Sequence, residues 1–188
     1  MAERKNIGVT GGAGFIGSHL CERLLEEANV ICIDNFINSS ERNIDQLLKF
    51  PNFEFIRHDI NEPLELEKLG ELEKFKVKFQ GIQEIYHLAC PTSAKNFNQY
   101  RLDTLRANSV GMINVLELAL KFKARFLQAG SSVVYGPRRA DKKVFREDDL
   151  GPVDLLSPRA CYDEGKRFAE SAVITYSQMH GLDTRLAR

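Results

Sequence analysis

The stretch T-G-G-A-G-F-I-G at residues 10–17 constrains the fold of this chain more than any other feature. It follows the short apolar run Ile7–Val9 and opens a segment whose apolar residues recur at helical spacing. A strand, a glycine-rich turn and a helix in this order are typical of the first crossover of a dinucleotide-binding sheet. The alternative is an ordinary strand-to-helix turn.

Three glycines of this stretch have a predicted task. We expect Gly11 to allow the tight turn and Gly14 to let a pyrophosphate approach the backbone. Gly17 would let the helix pack closely on the strand. Phe15 and Ile16 would stand in the first turn of the helix, where N–H groups and the helix dipole favour phosphate.

A carboxylate at Asp34 narrows the expected ligand. The second apolar run, Val30–Ile33, ends at this residue, twenty positions after Gly14. A carboxylate at that place can accept hydrogen bonds from both hydroxyls of an adenosine ribose, and it repels a 2′-phosphate. The sequence therefore predicts NAD rather than NADP as the cofactor.

Apolar runs alternate with helical patterns along the whole chain, which predicts an α/β fold with a doubly wound parallel sheet of the Rossmann type. A length of 188 residues suggests one domain. The patterns place strands near 6–10, 30–34, 53–57, 82–88, 125–130 and 183–187. They place helices near 15–27, 41–49, 64–79, 97–122 and 161–180.

Composition excludes several partner classes. Lys plus Arg and Asp plus Glu each number 26, so electrostatics does not favour nucleic acid or an anionic membrane surface. The four cysteines form no C-x-x-C pair, and we predict no metal site. We expect a cytoplasmic protein because the thiols are expected to be reduced. We expect no signal peptide because the N-terminus leads directly into a core strand.

Tyr162 and Lys166 form a second constellation. They stand four residues apart at the start of a helical pattern, which places both on one helix face. A phenol with a pKa of about 10 is a poor base at neutral pH. A neighbouring ammonium favours the phenolate, so the pair is predicted to be catalytic, with Lys166 also able to bond the nicotinamide ribose.

Together these motifs resemble the extended short-chain dehydrogenase/reductases, specifically the NAD-dependent epimerase/dehydratase family that acts on nucleotide sugars. The resemblance covers essentially all of the chain. It rests on T-G-G-A-G-F-I-G, D-N at 34–35, H-D-I at 58–60, H-L-A-C-P at 87–91, Asn108, S-S-V-V-Y-G at 131–136 and Y-D-E-G-K at 162–166.

The resemblance implies further site residues. Ser131 falls at the family's catalytic Ser/Thr position, where it would bond the reacting sugar hydroxyl. Asn108 would be the helix asparagine behind the site. The resemblance also implies three groups of cofactor contacts. Adenine would contact Asp59 and Ile60. The adenosine ribose and phosphate would contact Asp34, Asn35, Asn38 and Ser39, and the path to the nicotinamide would be lined by Leu88, Ala89 and Pro91.

Within the family the chain looks most like the UDP-glucuronate decarboxylases. There Tyr162 would take the proton of the hydroxyl on sugar carbon 4 while NAD takes the hydride. The resulting ketone would let the carboxylate leave as carbon dioxide. Decarboxylases carry a glutamate where this chain has Val133, and tend to have serine where it has Gly130. The non-acidic residue at position 133 makes the chain more like the UDP-sugar 4-epimerases. Decarboxylase and epimerase therefore both stay open as the predicted activity.

The resemblance also implies partners and domain organisation. We expect residues 1–188 to form an NAD-binding domain whose C-terminal substrate domain is missing or truncated, with a UDP-sugar as the substrate of the whole enzyme. This chain alone is therefore expected to bind NAD but to be inactive. Relatives dimerise through two long helices, here 97–122 and 161–180, which predicts a homodimer. Apolar residues of these helices could serve either the dimer face or the core: Leu116, Leu120, Phe168 and Val173. A truncated or inactive NAD-binding module is the alternative from another functional class.

Overall fold

Six parallel strands form one sheet in the order β3-β2-β1-β4-β5-β6. The computed structural model describes residues 4–92, 98–138, 140 and 144–188, and the counts here refer to those ranges. Strands β1 to β6 cover Lys5–Thr10, Ala28–Asp34, Phe53–Arg57, Glu84–His87, Arg125–Ala129 and Thr184–Ala187. Helices α1 to α5 cover Phe15–Leu24, Val77–Gln80, Arg101–Arg106, Met112–Phe122 and Ala160–His180. The strand order confirms the predicted doubly wound sheet.

The sheet carries a separate hydrophobic core on each face. Because side chains alternate along a strand, Val30 and Cys32 point to one face while Ile31 and Ile33 point to the other. The first face packs against α1, and the second packs against α4 and α5. None of the helices in the described residues is long and apolar enough to cross a membrane.

The helix predicted at 41–49 is wrong. Only Glu41–Asn43 is helical, as a short 3₁₀ helix, and turns follow it. The buried side chains are Ile44 and Leu47, three residues apart, and the Leu47 N–H bonds the Ile44 carbonyl at 2.8 Å. A three-residue repeat suits i to i+3 bonding rather than an α-helix.

The helix predicted at 64–79 is also wrong, because its apolar spacing likewise suits 3₁₀ helices. Its apolar residues at 66, 69, 72 and 75 repeat every three residues, and two 3₁₀ helices form, Leu66–Lys68 and Gly70–Phe75. Lys76 then adopts a left-handed conformation, with φ of 51°, before the single turn of α2. As a result Phe79, the last residue of the predicted helix, is 86% exposed.

The helix predicted at 97–122 is interrupted. Its first residue, Phe97, lies outside the described residues, and the helix proper begins at Arg101. Between α3 and α4 the backbone widens into a π-helical segment, Ala107–Gly111, which contains Asn108. Such π-bulges are frequent at functional sites.

The contact between α1 and the glycine turn gives a testable prediction. A Cβ at Gly17 would lie 2.2 Å from the Gly11 carbonyl oxygen, whereas one at Gly70 would meet nothing within 4 Å. Gly17→Ala should lower the free energy of unfolding by about 1–3 kcal/mol, since this backbone must move to admit a methyl group. Gly70→Ala is the matched control. Equal urea midpoints for the two variants would contradict the predicted packing role.

Candidate functional site

A cleft of about 530 Å³ opens at the carboxyl ends of the strands. Ligands of open parallel sheets bind at this edge. Sixteen of the sequence-predicted site residues line it: Gly11, Gly14, Phe15, Ile16, Gly17, Asp34, Asn35, Asn38, Ser39, Asp59, Ile60, Leu88, Ala89, Pro91, Tyr162 and Lys166. Two predicted residues, Asn108 and Ser131, are not part of its lining.

The glycine turn forms the middle of the cleft. Gly11 has φ of 73°, a left-handed value that a side chain would strain, and its N–H bonds the Ile33 carbonyl at 2.8 Å. Gly14 is the N-cap of α1, and the Ser18 N–H bonds its carbonyl at 2.9 Å. The N–H groups of Phe15 to Gly17 therefore have no partner within the helix, which makes this end suited to an anion.

Asp34 stands at the end of β2 with its carboxylate already engaged. Oδ2 accepts a bond from the Ala13 N–H at 3.0 Å. Oδ1 accepts bonds from the Phe36 N–H at 2.9 Å and the Ser39 hydroxyl at 2.7 Å. A carboxylate offers about four acceptor positions, so one is left for a ligand while Ser39 stays in place.

A second carboxylate, Asp59, follows β3. Its Oδ2 accepts a bond from Asn35 Nδ2 at 3.1 Å, and its Oδ1 accepts from the Asn61 N–H at 2.9 Å. The neighbouring Ile60 is buried and belongs to the core that α4 and α5 cover. This end of the cleft thus pairs a polar acceptor with an apolar wall.

Tyr162 and Lys166 lie at the opposite end, on the first turns of α5. Lys166 is buried, and its Nζ donates to the Ala129 carbonyl at 2.9 Å. The same Nζ lies 5.9 Å from the centre of the Tyr162 ring. Burial raises the pKa of Tyr162 above its ordinary value, and a hydrogen bond with Ser131 offsets part of that rise. Without a cofactor, Tyr162 is thus a neutral phenol at neutral pH.

Ser131 stands behind Tyr162 rather than in the wall of the cleft. It caps the 3₁₀ helix Ser132–Tyr135, where its Oγ accepts the Val133 N–H at 3.4 Å. The hydroxyl is thereby placed between a backbone turn and the Tyr162 phenol. The structure brings Ser131 together with Tyr162 although 31 positions separate them in the sequence.

Asn108 also lies behind the cleft wall. Its Nδ2 donates to the Thr104 carbonyl at 2.8 Å and to Cys90 Sγ at 3.1 Å. The first bond joins the start of the π-helical segment to α3, and the second holds a side chain that does line the cleft. Asn108 is therefore placed to orient the wall rather than to touch a ligand.

Sequence reasoning missed several residues of the cleft wall. Cys90 sits inside the H-L-A-C-P motif, and its neighbours were selected while it was not. Ala129 and Gly130 end β5, so the rule that ligands bind at strand ends could have found them. Asp103, on α3, had no sequence signal of this kind.

The comparisons with known proteins agree with this arrangement. The model of the NAD dependent epimerase/dehydratase family matches residues 7–188. UDP-glucuronic acid decarboxylase 1 of Danio rerio is 40% identical over 99% of this chain and 41% of that protein. UDP-glucuronic acid decarboxylase 4 of Arabidopsis thaliana is 41% identical over 96% of this chain and 37% of that protein. The chain thus spans about two fifths of the length of these curated relatives.

Solved structures are similar over nearly all of the chain. The UDP-glucuronic acid 4-epimerase of Bacillus cereus in complex with NAD is 31% identical, with a TM-score of 0.76, over 97% of this chain and 56% of that one. The epimerase Mth375 of Methanothermobacter thermautotrophicus is 30% identical, with a TM-score of 0.77, over 99% of this chain and 51% of that one. The family is NAD-dependent, which confirms the cofactor prediction, and the chain belongs to the NAD dependent epimerase/dehydratase family.

Proposed function

We propose that this chain is the NAD-binding part of an enzyme that modifies a nucleotide sugar, most like a UDP-glucuronate decarboxylase. The observation that carries the proposal is the cleft, which has carboxylates at one end, free helix amides in the middle and the Tyr162–Lys166 pair at the other. The choice of sugar is supported by relatives named UDP-glucuronic acid decarboxylase at about 40% identity over almost the whole chain.

The residues present fit NAD. A Cβ at Gly14 would meet only the Gly11 carbonyl oxygen, at 3.2 Å, so the backbone there is open to a pyrophosphate. Asp34 has one acceptor position left for a ribose hydroxyl. A second hydroxyl would displace Ser39, whose own hydroxyl could then turn to the ligand. Asp59 would face adenine, beside Ile60.

The chain's own residues would supply proton control at the sugar. When bound, NAD would take a hydride from carbon 4 of the sugar and return it. Tyr162 would accept the proton of the hydroxyl on that carbon, and Ser131 would bond the same oxygen. The Lys166 ammonium would lower the pKa of the phenol and orient the nicotinamide ribose.

A 4-epimerase is the second candidate function, and Val133 favours it. The side chain at this position, two residues after Ser131, is apolar and cannot relay a proton or bond a sugar. The structural similarity to a UDP-glucuronic acid 4-epimerase supports the same alternative. An NAD-binding module without turnover is the third outcome that the experiments below separate.

The predictions of a homodimer and of a cytoplasmic location stay predictions. Of the side chains that were expected to serve either a dimer face or the core, Leu116 and Val173 are fully buried in the core. Phe168 is 46% exposed and could reach a second copy.

Asp34→Ala should raise the dissociation constant for NAD by about 10- to 100-fold, the loss expected for a hydrogen bond to a charged group. Isothermal titration calorimetry on the protein measures this change. Asp45→Ala is the control, because Asp45 is exposed and does not line the cleft. An unchanged constant in a folded Asp34→Ala protein would remove Asp34 from the cofactor site.

In the whole enzyme, Tyr162→Phe should reduce turnover by about 10²- to 10⁴-fold, the contribution of a positioned acid–base group, and leave NAD binding nearly unchanged. Tyr176→Phe is the matched control on the same helix, since Tyr176 bonds Glu117 away from the cleft. If the two variants turned over equally fast, Tyr162 would have no role as the base.

Mass spectrometry of the products separates the candidate functions. The whole enzyme, of which this chain is proposed to be the NAD-binding part, is incubated with NAD and UDP-glucuronate, and then with NAD and UDP-glucose. We expect UDP-glucuronate to lose carbon dioxide. An isomer of unchanged mass would identify an epimerase, and two unreacted sugars with intact NAD binding would identify a module without turnover.

A further inference from the structure

Glu170 is a buried carboxylate on α5, one turn beyond Lys166. It lies against the backbone that connects Ala129 to Ser131, since a Cβ at Gly130 would come within 2.8 Å of Glu170 Oε1. A buried carboxylate costs stability unless it is paired and hydrogen-bonded. A carboxylate buried beside Ala129 and Gly130, at the end of β5, therefore requires a partner.

Arg188, just after β6, supplies the partner. Its Nη2 donates to Glu170 Oε2 at 2.7 Å, and its Nε lies 3.1 Å from both carboxylate oxygens. The remaining nitrogen, Nη1, donates to the Tyr135 hydroxyl at 3.2 Å and to the Glu147 carbonyl at 2.8 Å. The guanidinium also lies 5.1 Å from the centre of the Tyr135 ring.

The pair therefore joins three parts of the molecule. Glu170 belongs to the helix that carries Tyr162, Tyr135 ends the 3₁₀ turn that Ser131 begins, and Glu147 belongs to the following loop. The planar fork of Arg188 holds all three at fixed angles, which a lysine could not do. Within the turn itself, the bond from the Val133 N–H to Ser131 Oγ is long, at 3.4 Å.

We propose that the Glu170–Arg188 ion pair is the positioning element that holds the Ser131 turn against α5, so that the Ser131 hydroxyl meets the Tyr162 phenol. Neither charged residue lines the cleft. Both act through Ser131 and are positioning residues. The inference rests on the proposed function for the reaction, and its geometry can be tested without turnover.

The test compares Arg188→Met, Arg188→Lys and a control, Lys121→Met. Lys121 is an exposed residue of α4 that forms an ion pair with Glu67, and neither of these two residues lines the cleft. The Met variant removes the fork, and the Lys variant keeps a charge for Glu170 but cannot also reach Tyr135. If Arg188→Met does not fold, the double variant Arg188→Met with Glu170→Gln removes the orphaned charge and is measured instead.

The readout is the ¹³Cζ resonance of Tyr162 at neutral pH, assigned by its loss in Tyr162→Phe. Ser131→Ala gives the position of this resonance when the hydroxyl contact is absent. We expect Arg188→Met, or the double variant, to move the resonance toward that position and Arg188→Lys to move it part of the way. Lys121→Met should leave it unchanged. If the Tyr162 resonance kept its wild-type position in folded Arg188→Met, or in the folded double variant, the proposal would be overturned.

Kinetics distinguishes this inference from the proposed function. If the protein turns over, Arg188→Met should lower kcat by about 10- to 100-fold, the effect of a small misplacement of reacting groups. The KM and the dissociation constant for NAD should stay within about twofold of the wild type, because uniform binding is retained. A whole enzyme without turnover whose Tyr162 resonance still moves would contradict the proposed function and leave the positioning role standing.

Discussion

The parallel direction of all six strands is the constraint on which the rest of this structure depends. Because each strand must return to the same starting edge, every strand ends at the opposite edge, and the loops that follow meet there. Asp34, Asp59, Leu88 and Ala129 are far apart in the sequence and come together only for this reason. Once the register of the sheet is fixed, these residues lie close together without any requirement for direct contacts between them.

The two ends of the cleft use different chemistry. At the end proposed to bind adenosine, Asp34 and Asp59 are held by backbone N–H groups and by Ser39 and Asn35, so their acceptors are fixed before a ligand arrives. At the other end, burial raises the pKa of Tyr162. The protein alone thus keeps this phenol neutral. In the proposed reaction, additional positive charge from a bound cofactor would let it act as a base, which would couple proton transfer to an occupied cleft.

The sequence predicted those parts of the structure whose signals are local. The six strands, the glycine turn and Asp34 follow from apolar runs and residue spacing, which short segments carry by themselves. Other cleft residues, such as Asp59 and Leu88, were identified by family resemblance. The segment at 64–79 was misjudged because its apolar period of three was taken for an α-helical one. Ser131 was identified by family resemblance, and its place behind Tyr162 depends on tertiary packing. The pairing of Glu170 with Arg188 likewise has no local signal.

One face of α5 connects these observations. Tyr162, Lys166 and Glu170 recur at intervals of four residues, which aligns them on the side of the helix that meets the sheet. An apolar side chain at each place would stabilise the core more, since buried polar groups at best offset their desolvation. Instead Tyr162 bonds Ser131, Lys166 donates to the Ala129 carbonyl, and Glu170 pairs with Arg188. A polar stripe of this kind is expected where a helix must hold the carboxyl end of a strand in register with a reacting group.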